Sequence, residues 1–93
     1  MEQFIFTVFD SAAGAYLEPF FAPSIEFAIR GFREAVNKKD HQFNKFPEDY
    51  TLFQVGAWDP KKGVLEPCAP HSLGVALAFI EKAATPMEVV TDG

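Results

Sequence analysis

Between Arg30 and Tyr50 the sequence interleaves five cations, Arg30, Arg33, Lys38, Lys39 and Lys45, with the rings of Phe43, Phe46 and Tyr50. Phosphates attract lysine and arginine, and unstacked bases lie on flat rings, so the pattern has the parts that single-stranded nucleic acid requires. Arg30 and Arg33 stand three residues apart, which places them on one side of a helix. A structural account of the same residues stands beside this one. Lys38 and Lys39 suit the negative end of a helix, while Phe43 and Phe46 can anchor a loop to the core. The net charge of −5 opposes general affinity for DNA, and residues 30–45, with five cations against Glu34 and Asp40, form the only basic stretch.

The remaining reactive side chains do not assemble into chemistry. Hydrolysis or group transfer needs a nucleophile, a base beside it and a group that orients the base. His41 falls in a polar connector and His71 just before a predicted helix, and both are expected to face solvent. Glu18 and Glu66 could form a carboxylate pair, but an internal repeat accounts for both. Cys68 is the one cysteine, so no intrachain disulfide forms, and with no cationic cluster beside it the thiol is expected to be inert and at least half-buried. The glycines are scattered and build no phosphate cradle. The sequence therefore predicts no catalytic site, no metal and no cofactor.

The elements that must position these residues follow from that repeat. Asp10-Ser-Ala-Ala-Gly14 with Leu17-Glu18-Pro19 is echoed by Asp59-Pro-Lys-Lys-Gly63 with Leu65-Glu66-Pro67. Each is followed by Ala-Pro, a serine, and apolar residues at i, i+3, i+4, i+7: Ile25, Ala28, Ile29 and Phe32, then Leu73, Ala76, Leu77 and Ile80. Residues 3–9 and 51–58, rich in Phe, Val, Ile and Thr, predict strands. In Asp-x-x-x-Gly the carboxylate can accept from amides further on and glycine can take positive φ, which closes a hairpin. Residues 15–21 and 64–68 return as short strands, with their prolines at an edge or end. Ser24 and Ser72 then read as N-caps of helices over 24–38 and 72–84.

The expected architecture is one α+β domain over 1–93, a ββα-ββα pseudo-repeat with units at 3–38 and 51–84, a connector at 39–50 and a frayed tail at 85–93. Its four-stranded antiparallel or mixed sheet carries both helices on one face. Strand order 1-2-4-3 would make it a permutation of the ferredoxin-like arrangement. Strand one is apolar on both faces, with Phe4, Phe6 and Val8 on one and Ile5, Thr7 and Phe9 on the other. If helices cover only one face, the other must meet a second copy, a partner or stacked bases, and a homodimer through that apolar sheet face is the simplest expectation. The composition, 48% hydrophobic with eleven Phe, is that of a folding chain. No stretch is long enough to span a membrane, and the acidic N-terminus with its short apolar run does not read as a signal peptide, so a soluble intracellular protein is expected.

The run Val8-Phe-Asp-Ser-Ala-Ala-Gly14-Ala-Tyr16, then Pro19-Phe-Phe-Ala22, Ala28-Ile-Arg30-Gly-Phe32 leading to Val36-Asn37, and Phe46-Pro-Glu-Asp-Tyr50 with Leu52-Phe53, Gly56 and Asp59, resembles the small nonstructural protein of gokushovirus-type microviruses (Microviridae), tailless phages with single-stranded DNA genomes. The resemblance covers roughly residues 4–80, and Pro-Glu-Asp-Tyr with its flanking aromatics is its most specific part. It implies a nonstructural phage protein of the host bacterial cytoplasm, acting between genome replication and packaging through contact with DNA. No catalytic residue is carried over. Together the residues and the resemblance predict a non-enzymatic protein that binds single-stranded DNA through Arg30, Arg33, Lys38, Lys39, Lys45, Phe43, Phe46 and Tyr50. The alternative is an adaptor on a viral replication or capsid protein.

Overall fold

Two long strands without a proline form the centre of the sheet, because along their whole length they can offer amides on both edges. The first is β1, Gln3–Asp10, and the second is β4, Tyr50–Asp59, which pair antiparallel from Gln3 opposite Trp58 to Asp10 opposite Tyr50. The computed structural model describes residues 3–81. On the outer side of β1 the return chain pairs twice, as β2, Ala15–Tyr16, and β3, Phe20–Ala22, broken around Glu18-Pro19 where Pro19 has no amide to give. On the outer side of β4 lies β5, Val64–Val75. All pairs are antiparallel, and the order is β2/β3-β1-β4-β5.

This corrects the expected order, which put the two return strands side by side in the middle and would have given the ferredoxin-like permutation. The leading strands are the central neighbours instead, and the proline-bearing strands take the edges. β5 is also longer than expected. It absorbs Pro70 by bulging: Gln54 faces His71 and Gly56 faces Pro67, so three residues of β5 stand opposite Val55 alone.

Both turns are as the sequence indicates. Asp10 Oδ1 accepts from the amides of Ala12 and Ala13 at 3.0 and 3.2 Å, and Asp59 Oδ1 from those of Lys61 and Lys62 at 2.9 and 3.2 Å. Gly14 and Gly63 take φ of 68° and 69°, and each donates its amide to the carbonyl of its turn's Asp at 2.8 Å.

After the turns the likeness ends. The first unit leads into helix α1, Ile25–Val36, where Ser24 in extended conformation accepts from the Phe27 amide at 3.0 Å. Ala28, Phe32 and Val36 form its buried stripe. The second unit forms no such helix. Ser72 is still a ladder residue opposite Phe53, and the chain continues extended to Val75 before a single 3-10 turn, Ala76–Phe79. Gly74 sits at φ 139°, outside any helix, and a Cβ there would lie 2.7 Å from Phe79 Cε2. The glycine is thus the seat on which the Phe79 ring rests. Residues 82–84 of the expected helix, and the expected tail at 85–93, lie outside the described residues.

The connector is built rather than loose. Helix α2, Gln42–Lys45, is followed by a 3-10 turn at Pro47–Asp49. The Asn44 side chain donates to the Val36 carbonyl at 2.9 Å, tying α2 to the end of α1. The core lies between α1 and one face of the sheet, around Phe6, Val8, Leu52, Phe32, Val36 and Tyr50, with Phe43 of α2 packed against it. Two helices therefore cover one face, as expected, but α2 is the second of them. Asn37 completes this layer: its amide nitrogen donates to the carbonyls of Arg33 and Phe79, and its oxygen accepts from the Glu81 amide at 2.8 Å.

Candidate functional site

The eight residues singled out as a nucleic-acid surface divide into three groups. Phe43 and Tyr50 belong to the core. Tyr50 is 6% exposed, its hydroxyl donates to Gln42 Oε1 at 3.1 Å, and its ring lies 4.6 Å from that of Phe43. Burial pushes its phenol above the ordinary value, with Asp10 and Asp49 adding to the effect, so it remains a neutral donor. Phe43 is held between Tyr50, Phe32 at 5.4 Å and His41 at 4.4 Å. The Tyr50 ring offers no free face to a base, and the Phe43 ring is partly buried against the core.

Arg30 and Arg33 are exposed on α1, but each has company. Arg30 stands four residues after Glu26 and four before Glu34, spacing that makes them neighbours on one helix side and balances its charge. The Arg33 guanidinium lies 5.5 Å from the centre of the Phe79 ring.

Lys38, Lys39, Lys45 and Phe46 form the third group. Lys38 and Lys39 lie in the turn that leaves α1, where the His41 amide donates to the Lys38 carbonyl at 3.0 Å. Lys45 and Phe46 end α2, and the Asn44 bond to Val36 brings that end against the same end of α1. All four are exposed, Phe46 at 54%. Residues that read as one patch in sequence thus reduce to three lysines and one ring at a single end of the molecule. Asp40 stands among them in the chain and Glu48 and Asp49 follow close behind, which limits the local potential.

The other candidates are dispersed. His41 caps α2, its Nδ1 accepting from the Phe43 amide at 3.1 Å, so it is tied into the structure and only half-exposed; His71 is exposed as expected. Glu18 follows β2 on one edge of the sheet and Glu66 lies on β5 at the other, with β1 and β4 between them, so they form no carboxylate pair. Cys68 is exposed, not half-buried, because it lies in the bulged part of an edge strand that no helix covers; its thiol faces the Gln54 carbonyl at 3.8 Å. Among the described residues no three His, Cys, Asp or Glu side chains come together as metal ligands, and no helix is long and apolar enough to cross a membrane.

One feature escaped sequence reasoning. Between α1 and the β1–β3 edge lies an open groove of about 320 Å³, with Phe20, Phe21, Phe27, Gly31, Ala35 and Phe43 on its walls. Phe21 and Phe27 are 53% and 56% exposed. The signal was present: Phe27, Gly31 and Ala35 recur at four-residue spacing and add a second apolar stripe beside the one that enters the core.

A family model described as Phage ORF5 protein matches residues 3–79. No curated protein and no solved structure matches the chain.

Proposed function

Because the chain belongs to the phage ORF5 protein family, we propose that it is a non-enzymatic phage protein that takes single-stranded DNA at its lysine-bearing end during genome replication and packaging. The observation that carries this reading is the gathering of Lys38, Lys39, Lys45 and exposed Phe46 by the bond from Asn44 to Val36. In this arrangement the lysines meet successive phosphates and Phe46 receives one base. Arg30 and Arg33 contribute at longer range, because Glu26, Glu34 and the Phe79 ring already engage their surroundings. Three phosphate contacts give a logarithmic salt slope of about −2, a modest and strongly salt-sensitive affinity.

Titration of a labelled oligonucleotide at low and high salt tests this. Lys38→Glu with Lys39→Glu should abolish binding, Phe46→Ala should weaken it, and Tyr50→Phe should leave it unchanged. Absence of binding at low salt, or indifference to the double lysine change, overturns the reading.

The groove beside Phe21 and Phe27 favours a second reading, an adaptor that docks an apolar segment of a viral replication or capsid protein. Recovery of such a protein from infected cells, lost on Phe27→Glu and retained on Lys38→Glu, is the result that would select it.

A further inference from the structure

Side chains opposite one another in an antiparallel ladder share a face, so the pairing assigns every strand position to one side of the sheet. The side that bears Phe6, Val8 and Leu52 is covered by the helices. The other side takes Ile5, Thr7 and Phe9 from β1, with Phe53 and Trp58 from β4 and their partners on the edge strands. Counting every paired position on this side, from Gln3 and Thr51 to Pro67 and Val75, there are fourteen, and none carries Asp, Glu, Lys or Arg, although a chain that is 23% charged would place about three there. Phe9, Tyr16 and Phe53 form a continuous aromatic row across it, with ring centres 4.8 and 5.7 Å apart. Tyr16 and Leu65 project from its margins, Leu65 at 59% exposure, while Phe21 on the β3 edge also borders the groove on the helix side.

We propose that this uncharged sheet face is the contact for a second copy of the same chain. Any partner that presents charge here must strip it of water with no counter-charge to meet it, which is costly. The occupant must therefore itself be apolar and uncharged over a comparable area, and this face on another copy meets that requirement. Charge elsewhere points the same way: at −5 per chain, copies repel one another across most approaches, and contact is least opposed where neither carries charge.

The size is also sufficient. Four strands at ~4.8 Å span about 19 Å, and eight residues of β1 at ~3.4 Å run about 27 Å. That is roughly 500 Å² of sheet per copy; Ile5 and Thr7 at its centre are already buried within one chain, so the contact rests on the aromatic row and the margins, and a pair buries at most on the order of 1,000 Å², the lower bound for a specific interface. A two-fold axis through the face stacks the sheets about 10 Å apart and lets the marginal side chains interdigitate. In this dimer the two lysine-bearing ends are both free, since they lie beyond the helix layer.

Light scattering and sedimentation over a range of concentrations, without DNA, test the proposal independently of the DNA reading. The wild-type chain should show twice its 10.3 kDa mass. Tyr16→Lys with Leu65→Lys should weaken association about 100-fold or more, since like charges then face each other in a dry contact. Mixing that variant with Tyr16→Glu, Leu65→Glu should restore the dimer. Unchanged far-UV circular dichroism confirms that the fold survives, and Leu65→Lys alone, on an exposed edge strand, carries the test if the double change does not. A monomer at all concentrations overturns the proposal. So does a dimer that these changes leave intact but Phe27→Lys, on the opposite face, dissolves.

Discussion

The turns at Asp10–Gly14 and Asp59–Gly63 have the same hydrogen bonds and the same glycine conformation, yet one hairpin is followed by a three-turn helix and the other by more strand. What separates them lies a dozen residues downstream. After Ala22-Pro23 the serine comes at once, and Ile25-Glu26-Phe27-Ala28 can wind directly onto its cap. After Ala69-Pro70 one more residue, His71, intervenes, and the position of Glu26 is taken by Gly74, followed by β-branched Val75. Glycine costs a helix about 1 kcal/mol relative to alanine, and here it also lets the chain turn so that Phe79 lies over it. A shared turn fixes a hairpin; it does not fix what the chain does next.

The two regions meet at Phe32, which is 4% exposed and whose ring touches those of Phe43 and Phe79 at 5.4 and 5.7 Å. Removing it breaks the comparison at its joint. Phe32→Ala should cost about 3–5 kcal/mol in urea denaturation, the usual range for a large aromatic lost from a core. A loss under about 1 kcal/mol would mean that the end of the second unit does not rest on α1.

Gly74 is the next largest lever. Gly74→Ala must place a Cβ 2.7 Å from Phe79 Cε2 at a φ of 139°, so a loss of about 2–3 kcal/mol is expected. The contrasting change is Gly31→Ala, in the middle of α1 with nothing within 4 Å of the new Cβ, which should gain about 0.5–1 kcal/mol. Opposite signs for two glycine-to-alanine changes would establish that Gly74 serves the close approach of Phe79 and not a helix. Equal signs would restore the helical reading of 72–84.

That pair of glycines also marks where sequence reasoning succeeds. Turns and α1 were legible because their determinants are local: a carboxylate two and three residues from the amides it binds, a glycine at positive φ, a serine one turn before an apolar stripe. The stripe Leu73, Ala76, Leu77, Ile80 has helical spacing too, yet Leu77 is exposed and Ala76 is fully buried, because the ladder with β4 holds this segment extended through Val75. Strand order was not legible for the same reason, since it is decided by pairing across the chain, although the prolines already favoured the edges. At the site, exposed lysines and Phe46 could be foreseen. The burial of Tyr50 and Phe43 could not, because it depends on α2, whose four residues carry too short a pattern to announce a helix.

The turns themselves supply a smaller test. Asp10→Ala and Asp59→Ala each remove one carboxylate oxygen that accepts from two amides in the same geometry. Both should cost about 1–1.5 kcal/mol, equal within error, when measured by thermal unfolding. A clear inequality would show that one turn is supported from outside; Asp10 is the candidate, since the neighbouring Ser11 amide donates to the Asp49 carbonyl at 2.9 Å.

The finest test compares the two serines, which occupy matching places in the sequence and different places in the structure. Ser24 Oγ accepts from the Phe27 amide, so Ser24→Ala leaves a first-turn donor of α1 without a partner and should cost about 1 kcal/mol. Ser72 is exposed and contributes to the sheet through its backbone, opposite Phe53. Alanine preserves that backbone, so Ser72→Ala should fall within about 0.5 kcal/mol of the parent. Equal losses at the two positions would require Ser72 to cap a helix as well, and would return the second unit to the form of the first. Unequal losses place the divergence after the turns, in the residues from Ser72 to Val75 where the ladder holds extended a chain that α1 is free to wind.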